Sequence, residues 1–360
     1  MRIAQVAPLT ESVPPQGYGG TERVVSYLTE ELVKLGHSVT LYASGDSVTS
    51  AELRACSQRA LRLDPGIADP VRIYHESHER MMRRVKAEAA EFDFIHFHIG
   101  WHEFPYFIAS TTPCVSTMHG RLDVPNFQKR LAQYRGFPLI SISDDQRRPV
   151  PDANWVATIY HGQPDTLTVP GAAERGYLAF LGRISPEKRP DLAIQIAQKA
   201  GWPIRIAAKV DPVDKVYFET MIRPLLSLPG VEYIGEVGEA DKMRFLAGAH
   251  ALLFPIDWPE PFGLVMIEAM ACGTPVIAFR RGSVPEVIEN GVTGFVVATV
   301  DEAVQAVSRI GLLNRQTLRS VFRRRFSVMR MAADHVRVYE SLIARQLART
   351  EGYQTTDLVP

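Results

Sequence analysis

From its first residue the chain alternates short β-forming runs with longer stretches of helical spacing, and this alternation limits its fold more than any other feature. Residues 3–7, 38–43, 94–97, 114–118, 139–142 and 156–159 are short runs in which apolar and β-branched residues predominate, and they read as strands. Between the first two, residues 22–35 place Val24, Val25, Leu28, Leu32 and Leu35 on one helical face, and Gly36 is a natural stop. Further helical stretches fall at 76–91 and 127–135. Strand, helix and strand in repetition imply parallel strands joined by crossovers, hence an α/β sheet covered on both faces. The pattern then restarts. Strands are predicted at 177–181, 204–208, 231–234, 251–254 and 275–278. Helices are predicted at 190–200, 214–227, 239–248, 263–272 and 284–289, and the chain closes on a helical stretch with a polar tail.

At 360 residues there is room for two domains of ordinary size. The turn formers His161-Gly162-Gln163-Pro164 and Val169-Pro170-Gly171 mark the boundary. The expected division is a first α/β domain at 1–165, a second at 166–332, and a C-terminal segment at 333–360. Two such sheets with their carboxyl edges facing would enclose ligands between them, since open parallel sheets bind ligands outside those edges.

The formal net charge is zero, so nothing global directs the chain to nucleic acid. Arg323, Arg324 and Arg325 read as a solvated helix face. Cys56, Cys114 and Cys272 lie far apart without a C-x-x-C pair, which argues against a disulfide framework and a structural zinc site and fits a reducing cytoplasm. The amino terminus opens on a strand pattern rather than a leader, and no apolar run reaches the length that spans a bilayer. Arg80, Arg83, Arg84 and Lys86 beside Met81 and Met82 leave peripheral contact with the inner face of a membrane open, although a solvated helix face is the favoured reading of them.

Four constellations could carry chemistry. In residues 260–268, Pro261 and Gly263 place Glu260 in a loop and Glu268 inside the helix that follows. The amides of Phe262, Gly263 and Leu264 lie near that helix start, an end that attracts anions, and carboxylates accept hydrogen bonds from sugar or ribose hydroxyls. An N-terminal glutamate and an ordinary helical one would give the same spacing. In residues 180–189, Arg183 and Lys188 follow a strand end, and a guanidinium fork with an ammonium point charge suits a diphosphate. Gly19 and Gly20 stand between the first strand and helix, where a phosphate or a plain turn would use them; this is not G-x-G-x-x-G, and no P-loop occurs. His119 follows the strand at 114–118 and could donate to a sugar hydroxyl or to developing charge. His96, His98, His102 and Glu103 invite a zinc reading, but their spacing lacks the H-E-x-x-H helix.

Residues 260–268 with Ala271-Cys272-Gly273-Thr274-Pro275-Val276-Ile277 closely resemble the E-x7-E signature of the family-4 retaining glycosyltransferases with the GT-B fold, two Rossmann-like domains facing across a cleft. Residues 183–188 resemble the family's G-R-x-x-x-x-K pattern, and Gly19, Gly20 and His119 resemble its glycine loop and active-site histidine. The resemblance covers almost the whole chain. It implies transfer of a hexose-type sugar from a nucleoside-diphosphate sugar, with no metal or other cofactor, to a saccharide, lipid or small-molecule acceptor. By that resemblance Glu260 faces the donor sugar and Glu268 holds the ribose. Arg183 and Lys188 hold the diphosphate, and the backbone of Phe262, Gly263 and Leu264 contacts the sugar or its phosphate. His98, Trp101 and His102 become candidates for the acceptor pocket, and Asp257 and Trp258, just before Glu260, either shape the donor pocket or serve packing equally well. The final helix, from residue 333, is expected to cross back to the first domain. Where the family often reads Asn-Gly-Val, this chain has His161-Gly162-Gln163. A nucleotide-sugar 2-epimerase of the same fold and a non-catalytic nucleotide-sugar-binding protein are the alternatives.

Overall fold

Two parallel sheets organise the chain, each at the centre of one of two compact units. The computed structural model describes all residues except Pro65, Ala68, Asp69, 166–175 and 357–360. The expected turn at Val169-Pro170-Gly171 and the end of the polar tail lie outside the described residues.

The first unit comprises residues 1–142, 147–162 and 328–360. Its strands are β1 (Arg2–Val6), β2 (Ser38–Ser44), β3 (Glu52–Ser57), β4 (Phe94–Phe97), β5 (Cys114–Thr117), β6 (Leu139–Ser141) and β7 (Trp155–Thr158), ordered β3-β2-β1-β4-β5-β6-β7. Each pairing is parallel, as the crossover pattern requires. The order reverses between β1 and β4, so the crevice that open α/β sheets use for ligands lies beyond Val6 and Phe97. The core packs Phe97, Phe104, Phe107 and Phe137 against the sheet, with Met81, Met82 and Val85 from the Pro70–Ala87 helix. Those two methionines are 1% and 0% exposed, and Arg83 and Arg84 pair with Glu79 and Glu88. Met81 and Met82 are therefore core side chains.

The helix Val328–Thr356 belongs to the first unit and starts before residue 333. Tyr339 is fully buried and stacks on Phe94 with ring centroids 4.4 Å apart. No described helix is long and apolar enough to cross a membrane.

The second unit comprises residues 143–146 and 163–327. Its strands are β8 (Leu178–Arg183), β9 (Ile204–Lys209), β10 (Val231–Gly235), β11 (Ala251–Phe254), β12 (Val276–Phe279) and β13 (Gly294–Val297), ordered β10-β9-β8-β11-β12-β13. Its order reverses between β8 and β11. Leu178, Phe180, Ile204, Ile206 and Leu253 pack with Ile194 and Ala197 of the Pro190–Ala200 helix. Strands buried on both faces need such continuous aliphatic runs.

The helix expected at 214–227 is three short pieces: Lys215–Tyr217, a wide turn at Phe218–Ile222 and a tight one at Arg223–Ser227. Pro224 lacks the N–H that a continuous helix would need. The run Arg323–Arg325 lies on the Arg315–Phe326 helix, where Arg323 and Arg324 are exposed and Arg325 pairs with Glu289 at 2.8 Å. The three cysteines are free thiols, two of them buried.

Candidate donor site and a buried histidine chain

The loops after β8 and β11 meet where the second sheet reverses. Asp257 N–H donates to Glu187 O at 2.9 Å and ties them together. Lys188 and Glu260 are joined there as an ion pair between two largely buried side chains. Trp258 Nε1–H donates to the same carboxylate oxygen at 3.0 Å, and Lys188 Nζ also lies 4.8 Å from the centre of the Trp258 ring. Trp258, which the sequence leaves between packing and pocket lining, thus holds both members of the pair.

The Glu260 loop is clamped by the turn after β12. Ser283 N–H donates to Glu260 O, and Ser283 Oγ–H to Phe262 O, both at 2.9 Å. Gly282 makes the clamp close: it has φ +52°, and a Cβ there would sit 2.3 Å from Glu260 O. No spacing motif points to Gly282 or Ser283; only the fold brings them to Glu260. Segment 143–146 adds to the same loop, with Ser143 Oγ–H donating to Pro261 O at 2.6 Å.

Gly263 takes φ +79° as the residue before the Leu264–Ala271 helix. A Cβ there would approach Met266 Cε at 2.8 Å and Phe254 Cζ at 3.3 Å. Its role in the fold is therefore a left-handed turn packed against protein atoms. Phe262 is buried against Phe326. Glu268, 6% exposed, receives Lys242 Nζ at 2.6 Å. Lys242 lies on the Glu239–Ala247 helix, and its ammonium also reaches Glu239 at 3.0 Å. Arg183 ends β8 among carboxylates: Glu187 at 2.8 Å, Asp211 at 3.3 Å and Asp214 at 3.8 Å. Both cations expected to meet a diphosphate, Arg183 and Lys188, therefore already have acidic partners, and the carboxylates outnumber them. An arriving diphosphate would exchange for these carboxylates rather than meet bare charge.

In the first unit His98 follows β4 and His119 follows β5, and the two are joined at 2.9 Å. Gln5 of β1 lies behind His98 at 2.8 Å, and His161 stacks on His119 with centroids 5.2 Å apart. Burial pushes the imidazolium form of His119 far out of range, to about 3, and holds His96, His98 and His161 well below the ordinary histidine value. Gly19 and Gly20 occupy the turn into the first helix. Gly19 is extended, and a Cβ there would meet the Pro15 ring at 2.7 Å.

The acceptor candidates separate. His98 joins His119, whereas Trp101 and His102 stack on each other 4.4 Å apart in a different cluster with Tyr74, His75 and His78. Arg130 lies 4.4 Å from the centre of the Trp101 ring. Glu103 is fully buried, accepts from Ser116 at 2.5 Å, and is pushed up to about 7 by desolvation. The residues of the zinc reading thus do not converge on one point: the His96 and His98 rings are neighbours, but His96 bonds Tyr339 and Thr117, His98 bonds Gln5 and His119, and His102 and Glu103 turn elsewhere.

Two family models match consecutive parts of the chain, Glycosyltransferase Family 4 over residues 18–188 and Glycosyl transferases group 1 over residues 170–325. The D-inositol 3-phosphate glycosyltransferase of Geodermatophilus obscurus is 32% identical over 192 residues, 48% of this chain and 40% of that protein, so the match spans less than half of that relative. The phosphatidyl-myo-inositol mannosyltransferase of Mycolicibacterium smegmatis is 27% identical over 99% of this chain and 94% of its own length. AviGT4, a glycosyltransferase involved in Avilamycin A biosynthesis, has a structure that superposes with a TM-score of 0.76 at 25% identity, covering 96% of this chain and 98% of its own. With both models matching in order and two parallel sheets of the expected kind, the chain belongs to the family-4 glycosyltransferases of GT-B fold.

Proposed function

We propose that this chain is a retaining glycosyltransferase that holds a nucleoside-diphosphate sugar on its second unit and passes the hexose to a polyhydroxylated acceptor. The observation that carries the reading is the knot of Lys188, Glu260 and Trp258 beside the sheet's reversal point, where the carboxyl ends of β8 and β11 converge. In this reading Glu268 accepts the ribose hydroxyls. Arg183 and Lys188 turn from their carboxylates to the diphosphate, and Glu260, released from Lys188, meets the sugar. Departure of the diphosphate gathers negative charge on the leaving oxygen, which those two fixed cations stabilise. That oxygen then accepts the acceptor's proton, so the reading assigns no protein base and no metal or other cofactor.

Calorimetry with UDP, GDP and ADP tests the donor site. One of them should bind, and Glu268→Ala should weaken it at least about tenfold, the scale of a lost hydrogen bond to a charged group. Unchanged affinity would remove the ribose role. The names of the two relatives make inositol-bearing polyols the first acceptors to try. Retention predicts a product with the donor's anomeric configuration, read by the proton coupling at the anomeric carbon; inversion would refute it. A sugar epimerised from donor alone would convict an isomerase instead. The rate should persist in excess EDTA, and a loss restored by added magnesium would overturn the metal-independent reading.

A further inference from the structure

The polar chain inside the first unit has a direction. Gln5 is fully buried on β1; its amide nitrogen donates to Tyr339 Oη at 3.2 Å, and its carbonyl oxygen faces His98 Nε2 at 2.8 Å. A carbonyl only accepts, so His98 carries its proton on Nε2. A neutral imidazole has a single N–H, which leaves His98 Nδ1 as an acceptor. The group opposite it, His119 Nε2 at 2.9 Å, is then the donor. This leaves His119 with its proton on Nε2 and a lone pair on Nδ1. The other arm agrees. Tyr339 accepts from Gln5 and gives its own O–H to His96 Nδ1 at 2.7 Å, and His96 Nε2–H goes to Thr117 Oγ1 at 2.7 Å. Turning the Gln5 amide over would reverse every bond in the chain and leave His119 Nδ1–H as a buried donor with no partner among the described residues, which is costlier than the bare acceptor that this orientation leaves.

The rings are packed closely enough that they stay neutral. Centroids lie 4.0 Å apart for His96 and His98, 5.1 Å for His98 and His119, 5.2 Å for His119 and His161, and 5.1 Å for His96 and His335. Burial disfavours a charge on any of them, a proton on one would repel the others, and Arg330 adds to that repulsion at His161 and His335, opposed at His335 by the Met331 carbonyl and Asp334. His119 Nδ1 is itself shut off from solvent and has no hydrogen-bond partner among the described residues. Buried polar atoms without partners are rare in native proteins, and this one ends an ordered chain.

We propose that Gln5, acting through His98, is a positioning residue that holds His119 in the Nε2–H tautomer, so that its Nδ1 accepts a hydrogen bond from a hydroxyl of the carbohydrate substrate. The proposal rests on His119 facing that substrate. It reverses the role the sequence suggests: this histidine receives a proton donor and gives nothing to a phosphate or a developing charge. The ligand group it selects is a hydroxyl, not an anion.

Long-range proton–nitrogen correlation spectra of the whole protein labelled with 15N-histidine report the tautomer directly, with His119→Asn for assignment. From pH 6 to 8, His119 Nδ1 should give the signal of an unprotonated ring nitrogen and Nε2 that of a protonated one; the reverse pattern overturns the proposal. Gln5→Leu and the milder Tyr339→Phe, which frees the Gln5 amide to turn, should each produce mixed tautomers. An unchanged tautomer in both removes Gln5 from the role. With UDP-glucose and GDP-mannose as probes, Gln5→Leu should lower kcat for nucleoside diphosphate release about three- to tenfold, the worth of one neutral hydrogen bond, while leaving nucleotide affinity unchanged. A tautomer that resets with no change in kcat overturns the placement of His119 against substrate, and with it the hydroxyl contact, but not the tautomer assignment.

Discussion

Glu260 is held by a lysine, a tryptophan and a glycine turn, and the third is the least replaceable. Alanine at Gly282 would have to adopt φ +52° while its Cβ pressed on Glu260 O. Strain of this kind costs about 1–3 kcal/mol. Gly291 supplies the control, since its φ is +77° but nothing lies within 4 Å of its added Cβ. We expect Gly291→Ala to lower Tm alone. Gly282→Ala should lower Tm and also weaken nucleotide-sugar binding, because it moves the carboxylate; equal binding by the two variants would show that the clamp does not position Glu260. Lys188→Ala should cost about 2 kcal/mol or more of transition-state stabilisation, the usual loss when a charge-stabilising donor is removed. A rate near that of the parent protein would refute its role at the diphosphate.

Lys242 and Glu268 tie two helices together through side chains that are almost entirely buried. Removing one partner of such a pair costs about 3–5 kcal/mol, whereas replacing both with neutral groups is often nearly free. Lys242→Met should therefore lower the Tm of the second unit, and Lys242→Met with Glu268→Gln should recover much of it without recovering nucleotide affinity. Recovery of both would place Glu268 in the scaffold only. At this scale the sequence was most legible where apolar runs are short and bounded. Residues 94–97 and 251–254 are strands to the residue, because continuous apolar runs between turn signals leave few other choices. β3 escaped notice because it is an edge strand with an exposed, mixed face, and β13 because Gly291 and Gly294 read as turn formers. Gly294 is in fact required in the strand: a Cβ there would lie 2.0 Å from Val276 O. Arg183, Lys188, Glu260 and Glu268 were visible as a spaced pattern of charges. Trp258 was visible beside Glu260, but the partners Lys242 and Ser283 were not, since contacts between distant segments have no local signature. The order of the Gln5 chain was hidden for the same reason, because β1, β4 and β5 become neighbours only in the sheet.

Acid should act on the two units differently. His96, His98, His119, His161 and His335 all have native pKa values below the ordinary one, so the folded first unit binds fewer protons than its unfolded chain. Their contribution to stability is intact above about pH 6.5 and is lost as pH falls toward 3. Glu103 works in the opposite sense. Raised to about 7, it keeps a proton that the unfolded chain releases near 4.5, so its penalty grows as pH rises through that window. Five rings outweigh one carboxyl. Calorimetric scans at pH 7, 6 and 5 should show the first unit's transition moving down with pH, and Glu103→Gln should steepen the fall; a transition that rises on acidification would refute the neutral-histidine core. The terminal helix adds a consequence in time. Phe94 and His96 precede the second unit in the chain, but the Tyr339 that stacks on one and bonds the other follows it. On the ribosome the second unit, whose residues are all made by Ser327, can close its core while the first still waits for its last helix. The unit that contains β1 is therefore completed only after the unit inserted within it, and a ribosome stalled after Ser327 should release a chain whose second unit alone resists protease.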